Sequence, residues 1–220
     1  GDISEKPDYS VPTGITAETV LLNYLEAIGG KKKVESVNAV SMLGETEMQG
    51  MKFQMMNIQA KPNKLMVMMM MMGNLLMKQS FNGEDGYIQQ QGVKSPIPDE
   101  EKAKMKLASL PFEEIGWLDN KDVTFSSVEK EGEKELYVLQ VDKNTYVYYD
   151  KETGLKSKQT QNMTMPDGSS VSQTTFYEDY KLVDGILFPH VIKLPMGPQS
   201  MDLNMNETTI NPDASDAAFN

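Results

Sequence analysis

The stretch NKLMVMMMMMGNLLMKQ, residues 63–79, decides the fold. Of the thirteen residues 65–77, only Gly73 and Asn74 are not apolar, and seven are methionine. A membrane-spanning helix needs about 20 consecutive apolar residues; this run is shorter and is broken by Gly73-Asn74, so it is not a span. Lys61-Pro62-Asn63 and Gly73-Asn74 are turn signals, and the second suits a two-residue hairpin. Residues 64–72 and 75–81 are therefore expected to pair as strands.

A strand with one covered side alternates apolar and polar residues, and the first of these strands does not. Leu65, Val67, Met69 and Met71 fall on one side, and Met66, Met68, Met70 and Met72 on the other. One face can belong to a core. The other needs a cover: a helix of the same chain, another protein, or an apolar ligand. The preceding strand adds Met51, Phe53 and Met55 on one parity and Met56 and Ile58 on the other. Methionine re-packs around varied apolar shapes because its thioether chain is unbranched, so it serves either an irregular core or an adaptable binding surface. The expected ligand contacts are Leu65, Val67, Met69, Met71, Met56, Ile58 and the single tryptophan, Trp117. Met66, Met68 and Met70 are the expected partner-docking residues.

Outward from this hairpin, strand and turn signals continue in both directions. The segments 39–49, 51–60, 64–72, 75–81 and 86–91 are separated by QG, KPN, GN and NGEDG, the pattern of an antiparallel meander. Residues 97–110 then switch to helix formers, and PFEEIGWLDN follows as a loop or short helix. A second meander runs from about Asp122 to Ile210, with PDG and VDG among its turns. At the front, Thr16 is placed to cap a helix with Leu21, Leu25 and Ile28 on one face, stopped by Gly29-Gly30. Residues 1–14 are rich in Pro, Asp and Ser and are expected to be a linker or tether, followed by one domain over 15–220. The expected fold is mostly β (α+β): a large curved antiparallel sheet forming a half-open barrel, its concave face covered by the N-terminal helix and a mid-chain helical insertion.

Composition removes several function classes. The 220 residues carry a net charge of -11, and all 21 basic residues are lysine. An acidic chain without a guanidinium lacks the phosphate-gripping chemistry from which nucleic-acid binding starts. There is no cysteine, so disulfides, thiolate metal sites and thiol nucleophiles are absent together. The lone histidine, His190 in FPHVI, cannot furnish a two-histidine zinc helix, and no glycine-flanked serine accompanies it as a nucleophile. Adjacent carboxylates such as Glu113-Glu114, Glu178-Asp179 and Glu100-Glu101 occur among 32 acidic residues. Neighbouring strand residues point to opposite faces, so such pairs are poor acid-base couples. The chain is expected to be non-catalytic, with no metal and no cofactor. What remains is its apolar surface.

The phrases YLEAIGGKKKVESV (24–37), MKFQMMNIQAKPNKLMV (51–67), FNGEDGY (81–87), YYDKETGLKSK (148–158) and FYEDYKLVDGILFPH (176–190) resemble bacterial proteins of the LolA/LolB-like outer-membrane lipoprotein-sorting superfamily. The resemblance spans about residue 16 to the C-terminus. It implies a half-open barrel lidded by helices, a cavity for acyl chains or other hydrophobic ligands, and a place in the bacterial envelope, periplasmic or anchored at the outer membrane. In relatives the strand matching 64–72 usually alternates, with the parity of Leu65, Val67, Met69 and Met71 inward. Here Met66, Met68 and Met70 make the outer parity apolar too, which implies a second contact surface. The lipoprotein carriers use a cavity arginine, and this chain has none. The run KPDYSVPTGITAETVLLNYLEAIGG (6–30) also resembles the join that, in bacterial insulinase-type (M16) zinc proteases, leads into a C-terminal domain of this fold. That resemblance implies a peptidase domain, or a second copy of the chain, as partner for the outer methionines; the first implies a lipid or other hydrophobic small molecule as ligand.

Overall fold

The computed structural model describes residues 14–213 and 219–220. The leader expected over 1–14 lies, apart from Gly14, outside the described residues.

Helix α1 (Ala17–Ile28) forms where the sequence places it. The Thr16 hydroxyl accepts from the Thr19 amide at 3.2 Å, and Val20, Leu21, Tyr24, Leu25 and Ile28 bury one face. The helix stops at Gly29, whose φ of +151° brings the turn within reach of Gly185; a Cβ at Gly29 would lie 2.8 Å from the Gly185 carbonyl oxygen. The lysine-rich segment after it makes the short α2 (Lys31–Glu35).

The first meander follows as β1 (Ala39–Met48), β2 (Met51–Ala60), β3 (Lys64–Met71), β4 (Asn74–Phe81), β5 (Gly86–Gln90) and β6 (Val93–Pro96). Two helices, α3 (Asp99–Ala108) and α4 (Glu113–Trp117), interrupt it. The second meander is β7 (Thr124–Glu131), β8 (Lys134–Asp142), β9 (Thr145–Asp150), β10 (Lys156–Thr164), β11 (Ser170–Val183), β12 (Ile186–Met196) and β13 (Gln199–Ile210).

The thirteen strands among the described residues join one antiparallel sheet in the order β6-β5-β4-β3-β2-β1-β13-β12-β11-β10-β9-β8-β7. The first and last strands of the chain, β1 and β13, meet in the middle, from Val40 opposite Ile210 to Glu45 opposite Asn204. The two edges, β6 and β7, are not paired with each other, so the barrel is half-open. The α3–α4 insertion is the connection between those edges and lies over the concave face together with α1. Most of the core is there: Leu21, Leu25 and Ile28 of α1 pack with Leu139, Val147, Tyr149, Ile186 and Phe188 of the sheet.

One turn differs from the sequence expectation. The β3–β4 hairpin closes at Met72-Gly73, not at Gly73-Asn74, because Asn74 already pairs with Met71. Met72 and Gly73 have φ of +50° and +79°, the two positive angles that a tight hairpin turn matching the strand twist requires.

Candidate functional site

Paired residues on neighbouring antiparallel strands share a face, so the register assigns each methionine to a side of the sheet. Leu65, Val67, Met69 and Met71 lie opposite Gln59, Asn57, Met55 and Phe53. The Gln59 amide donates to the carbonyls of Ala108 and Leu110 at the end of α3, which marks this as the concave face. Met66 and Met68 lie opposite Ile58 and Met56, on the convex face. The expected grouping of Met56 and Ile58 with Leu65 is therefore corrected. The register of β2 with β3 joins even positions with even and odd with odd, so Met56 and Ile58 belong with Met66 and Met68, on the face opposite Leu65.

The concave row changes character along β3. Leu65 is 4% exposed and packs with Phe81, Ile97 and, from α3, Met105 and Ala108; Val67 touches the same group. These two are core. Beyond the reach of α3, Met69 pairs with Met55 and Met77, and Met71 with Phe53, all half-buried. The row continues across β1, where Gly44 lies between Met55 and Met205. A Cβ on Gly44 would come within 2.9 Å of the Met205 sulfur and 3.3 Å of the Asn204 carbonyl, so the missing side chain is what lets Met205 lie across β1. Met201, Leu203 and Met205 form a buried cluster with Met42, Met48 and Met55, extended by Ile192 and Leu194 of β12. The result is a methionine-lined trough running from the helix layer to the hairpin ends. A cleft of about 580 Å³ opens at its outer end between Met48, Met51 and Phe53 on one side and Met196 and Met201 on the other.

Met201, Leu203 and Met205 are not among the residues singled out from the sequence. Their signal is the alternation M-D-L-N-M-N at 201–206, which marks a strand with one dry face, and the burial follows it residue by residue. Trp117 stands elsewhere. It ends α4 and packs against the α1 core, facing a shallow hollow shared with Ile15, Ala17 and Phe125, so it is not brought to the methionines.

The trough also holds polar atoms. Thr46 Oγ1, Asn57 Oδ1 and Thr208 Oγ1 are buried and have no hydrogen-bond partner among the described residues. Asn57 and Thr208 both pair with Met42, and Thr46 with Phe53, which places all three on the concave side. A buried acceptor without a donor costs about 1–3 kcal/mol, so these positions favour a bound group that can hydrogen-bond.

The convex methionines have a cover, and it comes from the same chain. Phe219 is 3% exposed and packs against Ile58 and Met66, with Met56, Ala60 and Met68 around them. The Ser80 hydroxyl donates to the Phe219 carbonyl at 2.6 Å and the Tyr87 hydroxyl to the Asn220 carbonyl at 3.2 Å. Of the three expected docking residues, Met66 and Met68 are taken up in this contact; Met70, opposite Gln54, lies beyond it.

A buried ion pair lies under α4. Glu114 is 1% exposed; its Oε1 accepts from Lys156 Nζ at 2.7 Å and from the Tyr149 hydroxyl at 3.3 Å. The ammonium of Lys156 also lies over the rings of Tyr177 and Tyr24, 4.9 and 5.5 Å from their centroids. Burial alone would lower the Lys156 pKa, but Glu114 and the surrounding tyrosines outweigh it and hold the ammonium above its ordinary value. Burial pushes the neighbouring Glu113 carboxyl up to about 7, with Lys156 opposing and Glu114 adding to the shift. Lys156 is tied into an ion pair, so it is not a free cation for substrate. His190 stays structural in its contacts, its Nδ1 donating to the Phe188 carbonyl at 2.8 Å on its own strand.

No protein-family model matches the chain, and no curated protein matches it in sequence. Its likeness to solved structures is extensive but distant. A LolA superfamily protein from Nitrosomonas europaea is 14% identical with a TM-score of 0.60, covering 94% of this chain and 98% of that one. A DUF1329 family protein from Desulfovibrio piger is 11% identical at TM-score 0.57, covering 93% and 95%. A domain from Vibrio parahaemolyticus, described as outer-membrane lipoprotein-sorting, is 12% identical at TM-score 0.53, covering 91% and 97%. At these identities the likeness establishes a shared fold, the half-barrel expected from the sequence.

Proposed function

We propose that this chain is a non-catalytic domain of the bacterial cell envelope that binds an amphipathic, largely apolar ligand, a lipid or acyl chain, in the methionine-lined trough. The observation that carries the reading is the concave methionine cluster of Met42, Met55, Met201 and Met205, which includes no helix residue, next to the 580 Å³ cleft between Met51 and Met196. Methionine supplies adaptable apolar contact, and the buried oxygens of Asn57 and Thr208 supply places for a ligand's polar group. The envelope location is supported by the solved structures of the same fold, one of them named a LolA superfamily protein and another an outer-membrane lipoprotein-sorting domain. Burying roughly 300 Å² of apolar ligand surface at about 25 cal/mol per Å² yields about 7 kcal/mol before binding costs, which makes micromolar affinity the upper limit of what that area supports.

The alternative is an accessory domain that docks a peptidase through Met66, Met68 and Met70. Phe219 already covers the first two, and that contact favours the trough. Titration with a fluorescent fatty acid tests the choice. The expected result is saturable micromolar binding that Met55→Gln with Met205→Gln weakens at least tenfold and Met70→Gln leaves unchanged. Equal loss from both variants would refute the face assignment.

A further inference from the structure

The meander places alternate turns at opposite ends of the sheet, and the two ends differ in chemistry. At the end where the trough opens lie the β1–β2, β3–β4, β5–β6, β8–β9, β10–β11 and β12–β13 turns. Five of these six turns present an exposed apolar side chain: Met51, Met72, Val93, Met165 and Met196, the exception being Lys143-Asn144 between β8 and β9. Eight of the twelve large apolar side chains exposed among the described residues lie within two residues of these turns. Met72 is 91% exposed at φ +50°, a conformation that asparagine or glycine adopts more readily than methionine. Nothing in the fold of this hairpin asks for a methionine there.

Charge follows the same division. Across five of the six rim turns, residues 48–51, 71–74, 90–93, 164–170 and 196–199, the only charged residue is Asp167, in a chain of net charge -11; the sixth, between β8 and β9, carries Asp142 and Lys143. Each turn at the opposite end carries charge: Lys61, Glu84, Glu133, Lys151 and Asp184.

The geometry points to this rim as a membrane-contact surface, its apolar hairpin tips seated together in the interface of an electrically neutral lipid bilayer. A row of separate apolar tips along an open sheet suits a soft, laterally continuous medium, where single side chains insert between headgroups; a protein partner would be matched by one contiguous patch. The near absence of charge on the tips, with no basic cluster to offset the acidic body, selects a zwitterionic surface over an anionic one. The inference goes beyond ligand binding, since it stands on the exposed tips and not on occupancy of the trough. If both hold, a ligand passes between bilayer and trough without crossing water.

Vesicle flotation tests it. The wild-type chain is expected to float with phosphatidylcholine vesicles and to bind no better when phosphatidylglycerol is added. Replacing Met51, Met72, Val93, Met165 and Met196 with serine is expected to lower the partition coefficient at least tenfold. A control with Leu107→Ser and Leu182→Ser, exposed apolar residues away from the rim, is expected to match wild type. Circular dichroism of all three verifies that the sheet is intact. Failure of the wild type to float, equal flotation of the rim variant, or binding that grows with phosphatidylglycerol would each overturn the proposal. So would a concentration-dependent dimer that the rim substitutions abolish in the absence of vesicle binding, which would make a second copy the occupant.

Discussion

Lys156 Nζ sits 2.7 Å from Glu114 Oε1, joining the start of β10 to α4 through a pair whose acidic member is 1% exposed. A buried pair of this kind contributes little net stability over an apolar substitute of the same volume, but removing one partner strands the other. Lys156→Met is therefore expected to destabilise the chain by about 3–5 kcal/mol, and the double variant Lys156→Met with Glu114→Gln to recover most of the loss. Urea unfolding of the three proteins measures both.

Glu113 in the same cluster makes stability depend on pH. Burial pushes its carboxyl from the ordinary 4.5 up to about 7, so the fold prefers the protonated form. The sign follows: this contribution is fully present below about pH 4.5 and is lost as pH rises through 7, at up to about 3 kcal/mol. Glu113→Gln is expected to be more stable than wild type at pH 8 and to flatten the decline between pH 5 and 8. Thermal melts over that range would show an unchanged decline if the carboxyl were solvated.

Gly44 keeps the trough open to Met205. A Cβ there meets the Met205 sulfur at 2.9 Å, so Gly44→Val is expected to push Met205 aside and narrow the trough between β1 and β13. Fatty-acid affinity is expected to fall about tenfold while the far-ultraviolet circular dichroism stays that of the wild-type sheet. Unchanged affinity would mean that the ligand does not lie across Gly44.

Phe219 acts as a plug on the convex face over Ile58 and Met66. Phe219→Ala is expected to cost about 2 kcal/mol, the order of one large apolar side chain returned to water, and to increase binding of an apolar reporter dye. A variant that unfolds at the wild-type urea midpoint would show that the contact is not formed in solution.

The fold was legible because its signals are local. Thr16, Gly29 and the spacing of Leu21, Leu25 and Ile28 define α1, and turn dipeptides separate the strands. The antiparallel meander and the mid-chain helices follow from the same pattern, while the short edge strand Val93–Pro96 is not among the segments read from the sequence. Two things were not local. Whether a strand's second apolar face is covered depends on residues far along the chain, and Phe219 is 153 positions from Met66 (219 less 66). The cross-strand register also decides faces: it moves Met56 and Ile58 to the convex side, and it brings Met205 beside Gly44 through the β1–β13 pairing. Leu65 and Val67 have the parity expected of them but lie beneath α3, which no pattern within β3 reveals.

The central claim, that the concave methionines hold an amphipathic ligand, is tested most directly by methyl spectra of the chain labelled with ¹³C at methionine and titrated with a lysophospholipid. Saturable shifts of the Met55, Met69, Met201 and Met205 methyls are expected, with Met66 and Met68 unmoved. Shifts confined to Met66, Met68 and Met70, or none at saturating lipid, would contradict it.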